Sequence, residues 1–147
     1  MQRVVDASVA AKWFLPEPHK EKAEKLLRDF LEEKVDLIAP DFIVAEIGSL
    51  LWKRSVLIAD ISSTHASESF VKFLVIPLTL QPSPAIAAAA LKIATESRHN
   101  IYDMLYVALA QQKGCEFVTA DEKLVNKLSG KFPYICWLGD LKSNGPR

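Results

Sequence analysis

Several things are scarce in this sequence, and each shortage excludes something. Its 147 residues include only five glycines, two cysteines and three histidines, and eighteen basic residues balance eighteen acidic ones to a formal net charge of zero. So little glycine beside a hydrophobic share of 50% excludes a collagen-like, linker-dominated or disordered chain. A neutral total charge excludes holding a polyanion by bulk attraction, so any such ligand must meet a local patch or a bound metal. Cys115 and Cys136 form no Cys-x-x-Cys pair and read as small buried apolar side chains in a reducing cytosol, not as a disulfide or zinc site. His19, His65 and His99 are scattered, with no metal-ligand spacing and none placed as a general base. The start, Met1 to Asp6, lacks the apolar stretch of a signal peptide. The longest uncharged run, Phe73 to Leu91, is broken by Pro77, Pro82 and Pro84, with Gln81 and Ser83. It reads as a strand, a turn and a helix start instead of a membrane span. The expected location is the cytoplasm, with no membrane partner.

What is present is a chain of ordinary single-domain size, able to bury a full core without staples. Short apolar runs alternate with longer helical patterns. Arg3 to Val5 predicts a first strand ending at Asp6, and Ser8 to Phe14 can begin a helix. From His19 to Glu33, Ala23, Leu26, Leu27, Phe30 and Leu31 form a helical stripe, with Glu21–Lys25 and Glu24–Arg28 as ion pairs on the outer face. Asp36–Pro40 predicts a strand, followed by a helix capped by Asp41 and running to about Arg54. A helix over Ser62–Leu74, an edge strand over Val75–Leu78, and an Ala-rich helix capped by Ser83 with Pro84 at its first position come next. The rest reads as a helix over Tyr102–Lys113 stopped by Gly114, a strand over Glu116–Thr119, a helix over Asp121–Leu128 and a last strand over Tyr134–Trp137. Strands separated by helices make an α/β domain with a mainly parallel sheet, over residues 1–140, with a loose tail over 141–147.

Four acids stand where apolar patterning should have excluded them. Asp103 is the single charge within Ile101–Ala110, and Glu46 interrupts Phe42–Leu51 in the same way. Asp6 ends the first strand, and Asp121 follows Phe117-Val118-Thr119-Ala120. Each has a structural explanation: Asp6 and Asp121 as helix N-caps, Asp103 as a first-turn acid, Glu46 turned outward or paired with Arg54 or Lys53. Together they suggest more, because open parallel sheets bind ligands at the carboxyl ends of their strands. Carboxylates gathered there repel one another unless cations neutralise them, and an all-oxygen set suits Mg²⁺ or Mn²⁺. Ser8 and Thr119, two residues from Asp6 and Asp121, can bond those carboxylates or a coordinated water; capping and strand packing are their simpler roles. The chain has no Gly-rich phosphate loop and no Gly-x-Ser-x-Gly motif. Carboxylate-held metal ions can activate water and stabilise charge on phosphorus, so phosphodiester hydrolysis is the natural candidate.

At these residues the chain resembles PIN domains. The likeness rests on Val4-Val5-Asp6-Ala7-Ser8, Pro40 with Glu46, Tyr102-Asp103-Met104-Leu105-Tyr106-Val107-Ala108-Leu109-Ala110 and Phe117-Val118-Thr119-Ala120-Asp121, in that order. Within that family it resembles the VapC-type toxins of toxin–antitoxin pairs, from about Val4 to Leu138. The resemblance implies a three-layer α/β/α sandwich with a central mainly parallel sheet. It also implies a homodimer, Mg²⁺- or Mn²⁺-dependent endoribonuclease activity on RNA, and a small antitoxin that occludes the site. Asp6, Glu46, Asp103 and Asp121 fall on the family's acidic positions. Asp6 and Asp103 would be principal metal ligands, Asp121 would support a second or weaker site, and Glu46 would orient water or complete the shell. Thr119 matches a hydroxyl position, while Leu124 stands where many relatives carry Phe. No RNA-gripping Lys or Arg carries over. Two alternatives stay open: a HAD-like phosphatase, whose second acid would fall at Ser8, and a noncatalytic PIN-like module that binds RNA or protein.

Overall fold

In the computed structural model, which describes residues 1–142, Val4 and Val5 have no exposed surface, and β1 (Gln2–Val5) lies at the centre of the sheet. It pairs in parallel with β2 (Asp36–Pro40) on one side and β4 (Glu116–Thr119) on the other, with Val4 opposite Ile38 and Phe117. β3 (Thr79–Gln81) and β5 (Ile135–Trp137) complete an all-parallel sheet of order β3-β2-β1-β4-β5. The inner strands carry the apolar runs Val4-Val5, Leu37-Ile38-Ala39 and Phe117-Val118, because helices cover both faces of such a sheet. Leu37, Ile38, Phe117 and Val118 are at most 1% exposed, each contributing about 1.5–3 kcal/mol by burial.

Every crossover is helical. α1 (Ala7–Ala10), a 3₁₀ turn over Ala11–Trp13 and α2 (Lys20–Leu31) join β1 to β2. α3 (Ile43–Trp52) and α4 (Ser63–Leu74) join β2 to β3; α5 (Ala87–Ser97) and α6 (Ile101–Lys113) join β3 to β4; α7 (Glu122–Leu128) leads to β5. The chain therefore grows outward from β1 through β2 to β3, then returns to the far side of β1 for β4 and β5. That reversal makes a topological switch point between β1 and β4. α6 packs on β1, β2 and β4, and its residues Met104 to Ala110 are all buried. Tyr106 stacks on Phe117 with ring centroids 5.6 Å apart.

Several local expectations are corrected. The edge strand begins at Thr79, not Val75, because Pro77 has no N–H and the Leu78 N–H closes a tight turn onto the Ile76 carbonyl at 2.8 Å. Asp41 does not cap α3 and Ser83 does not cap α5: the Ser83 hydroxyl donates to the Asp41 carboxylate, joining the ends of β2 and β3. Pro84 instead sits in a 3₁₀ turn over Ser83–Ala85. α3 passes into a π-helical turn over Lys53–Leu57. Lys25 pairs with Asp29 at 2.5 Å instead of the exposed Glu21, since the more buried carboxylate is less screened. Leu31, at the end of the stripe, is exposed. Cys115 and Cys136 are free and only partly buried, and burial with an acceptor at Glu116 pushes the Cys136 thiol up to about 12. Leu141 packs against the core and its N–H bonds Leu138; positions 143–147 of the expected tail lie outside the described residues. Among the described residues no helix is long and apolar enough to cross a membrane.

Candidate active site

Asp6 leaves the end of β1 at the switch point and N-caps α1. Its Oδ1 accepts from the Ser8 hydroxyl at 2.6 Å and the Val9 N–H at 3.2 Å, and its Oδ2 accepts from the Thr119 hydroxyl at 2.6 Å. Thr119 is the last residue of β4, buried behind Asp6, and its oxygen accepts the Asp121 N–H at 3.1 Å. The Ser8 oxygen accepts the Ala120 N–H at 2.9 Å. Two hydroxyls thus tie the ends of β1 and β4 together, and the packing and capping roles expected of them coexist with contact to an acid. Asp121 is an exposed N-cap whose Oδ1 accepts the Leu124 N–H at 3.1 Å. Asp103 lies in the first turn of α6, capped by Asn100. Glu46 lies in the first turn of α3 and accepts a hydrogen bond from the Tyr106 hydroxyl. It does not pair with Arg54, whose guanidinium goes to Glu17 and Asp60 at 2.6 and 2.7 Å.

All four acids line one cleft of about 410 Å³, with Ser8, Glu17, Lys53 and Arg54 also in its lining. Four different elements deliver the four carboxylates. The PIN domain family model matches residues 3–128, a span that contains all of them. The chain belongs to the PIN domain family. Ribonuclease VapC3 of Pyrobaculum aerophilum is 30% identical over 130 residues, covering 86% of this chain and 95% of that protein. The crystal structure of PAE2754 from Pyrobaculum aerophilum has a similar fold, with a TM-score of 0.68 and 23% identity over 95% of this chain and 85% of its own.

In this PIN domain the acids feel one another. Burial pushes the Asp6 carboxyl up to about 6 against the pull of its Ser8, Thr119 and Val9 hydrogen bonds, and the charge on Asp103 adds to the rise. Burial likewise raises Glu46 to about 7; the Tyr106 hydrogen bond opposes this, and the charges of Asp6 and Asp103 reinforce it. Tyr106 itself is pushed upward by burial and by the Glu46 charge, so it stays a hydrogen-bond donor.

The donor set suits a hard divalent cation: five carboxylates, of which Glu17 is paired with Lys12 and Arg54, and two serine hydroxyls line the cleft, with no thiol. Among the described residues, no three His, Cys, Asp or Glu side chains are gathered closely enough to hold one ion as they stand. The fit therefore lies in donor chemistry and mutual repulsion.

Sequence reading named Ser8 and Thr119, which bond Asp6, but missed the side-chain partners of Asp103 and Glu46. His99, four residues before Asp103 and just ahead of the α6 cap, brings Nε2 to 2.7 Å from Oδ2, so one histidine does face a site carboxylate. The i, i+4 spacing of His99 and Asp103 was the available signal. Tyr106 at Glu46 had none, since its partner is sixty residues away.

Proposed function

We propose that this PIN domain is a Mg²⁺- or Mn²⁺-dependent endoribonuclease, the toxin of a VapBC-type pair. Its partners would be an RNA substrate, a small antitoxin that covers the cleft and a second copy of the chain, in the cytoplasm. The observation that carries the reading is the meeting of Asp6, Glu46, Asp103 and Asp121 in one cleft at the switch point. The similarity to Ribonuclease VapC3 supports it.

Asp6, Asp103 and Asp121 would hold the ion, with Ser8 and Thr119 supporting Asp6. The ion, when bound, neutralises these carboxylates and stabilises the charge that develops on phosphorus. Ser8 and Thr119 keep the Asp6 carboxylate oriented through two short hydroxyl bonds. Tyr106 holds Glu46 by Oε1, and Oε2 has no protein partner among the described residues. That oxygen can orient a water and take its proton. The neutral total charge leaves substrate attraction to the bound cation and to Lys53 in the cleft lining, since Arg54 is already paired with Glu17 and Asp60.

The test is cleavage of a labelled RNA pool in Mg²⁺ or Mn²⁺ against EDTA, beside Asp103→Asn prepared identically. Discrete fragments are expected only with metal and only from the unaltered chain. Identical patterns from both proteins would refute the assignment. RNA binding without cleavage would favour a noncatalytic module, and p-nitrophenyl phosphate turnover would favour a phosphatase.

A further inference from the structure

We infer that His99 is a positioning residue for Asp103, locked by Lys127 into the neutral tautomer that carries its proton on Nε2. This rests on the metal-dependent reading above and deepens it. His99 Nδ1 lies 2.9 Å from the Lys127 ammonium, and His99 Nε2 lies 2.7 Å from Asp103 Oδ2. An ammonium has three donors and no acceptor, so Nδ1 must accept from it. The ring proton is then on Nε2 and is donated to Asp103.

The ring is fixed from more than one side. Lys127 also donates to the Arg98 carbonyl at 3.2 Å, and Arg98 closes α5 with a left-handed backbone, φ 52°. Asn100 caps α6 through its Oδ1 and brings Nδ2 to 3.3 Å from the same Asp103 oxygen. Asp103 Oδ2 therefore meets two donors, and Oδ1 has no protein partner among the described residues. Without Lys127, the ring loses its anchor at Nδ1 and is free to rotate away from the carboxylate. Lys127 belongs to α7, the helix that Asp121 caps, so a single ammonium links the mountings of two of the four acids. His99 and Asp103 side chains are 15% and 28% exposed, so water screens their bond only in part.

The probe is Mn²⁺ alone, titrated into the full chain with free Mn²⁺ read by electron paramagnetic resonance. His99→Leu should weaken binding by about tenfold, the usual consequence of removing the partner of a ligating group. His99→Gln keeps an N–H donor and should restore most of the affinity. Lys127→Met should weaken binding alone yet add nothing in the His99→Leu background, because it acts through the ring. Lys127 is exposed, so its variant carries the test even if His99→Leu misfolds. Long-range ¹⁵N spectra of the imidazole should show the proton on Nε2. Unimpaired Mn²⁺ binding by His99→Leu, a proton on Nδ1, or full additivity of the two losses would overturn the inference alone. Absence of Mn²⁺ binding by the unaltered chain would overturn the metal-dependent reading, and this inference with it.

Discussion

Replacing Glu46 by Gln should stabilise the protein at alkaline pH and leave it unchanged in acid. Its carboxyl is raised from an ordinary 4.5 to about 7 by burial, with the charges of Asp6 and Asp103 adding to the rise. The folded chain thus binds this proton more tightly than the unfolded chain does. Its stabilising contribution is complete below pH 4.5 and is lost as pH rises through about 7. At about 1.4 kcal/mol per pH unit, the loss over that span amounts to about 3 kcal/mol. Glutamine does not titrate and still offers Tyr106 an oxygen, so it escapes the loss. Allowing for solvent reaching a half-buried group, a net gain of about 2 kcal/mol at pH 8 is expected. For a domain of this size, that raises the melting temperature by about 6 °C. The assay is thermal melting by circular dichroism at pH 5, 6, 7 and 8 in EDTA, with both proteins in the same buffers. Asp6 titrates in both proteins, so its contribution largely cancels in the difference. A gap that is constant across pH, or a variant that melts lower at pH 8, would refute the reasoning.

Other consequences are testable with the same means. Thr119→Val removes the donor to Asp6 Oδ2 and the acceptor of the Asp121 N–H, so it should cost about 1–3 kcal/mol. It should also move the Asp6 carboxyl above about 6, read by ¹³C titration of its Cγ. Gly114→Ala should cost about 1 kcal/mol by denaturant unfolding, because Gly114 ends α6 at φ 63° although space for a methyl group is open. Mg²⁺ or Mn²⁺ at pH 8 should raise the melting temperature of the unaltered chain, EDTA should reverse the rise, and Asp103→Asn should show little of it.

Much of this architecture is legible along the chain because it depends on short-range rules. β2 and β4 have the bounds that their apolar runs predict, and Gly114 ends α6 as expected. Asp6 and Asp121 are indeed caps, so the structural explanation for each was correct without being complete. The four acids stood out because a charge inside an apolar run is costly wherever the run is buried. Family likeness, not periodicity, supplied the step from four acids to an endoribonuclease.

The amino-acid sequence by itself determined the alternation of strands and helices, the caps at Asp6 and Asp121 and the positions of the acids, because each depends on residues within about two helical turns. Tertiary structure alone decided the contacts made across the fold. Ser83 turned from a helix cap to Asp41, Tyr106 reached Glu46, and Lys127 joined His99 to the first turn of α6. It also decided the raised carboxyls of Asp6 and Glu46, since burial and neighbouring charge arise only once separate elements meet. Local pattern records which groups a segment offers; the packed fold determines which of them come within bonding distance.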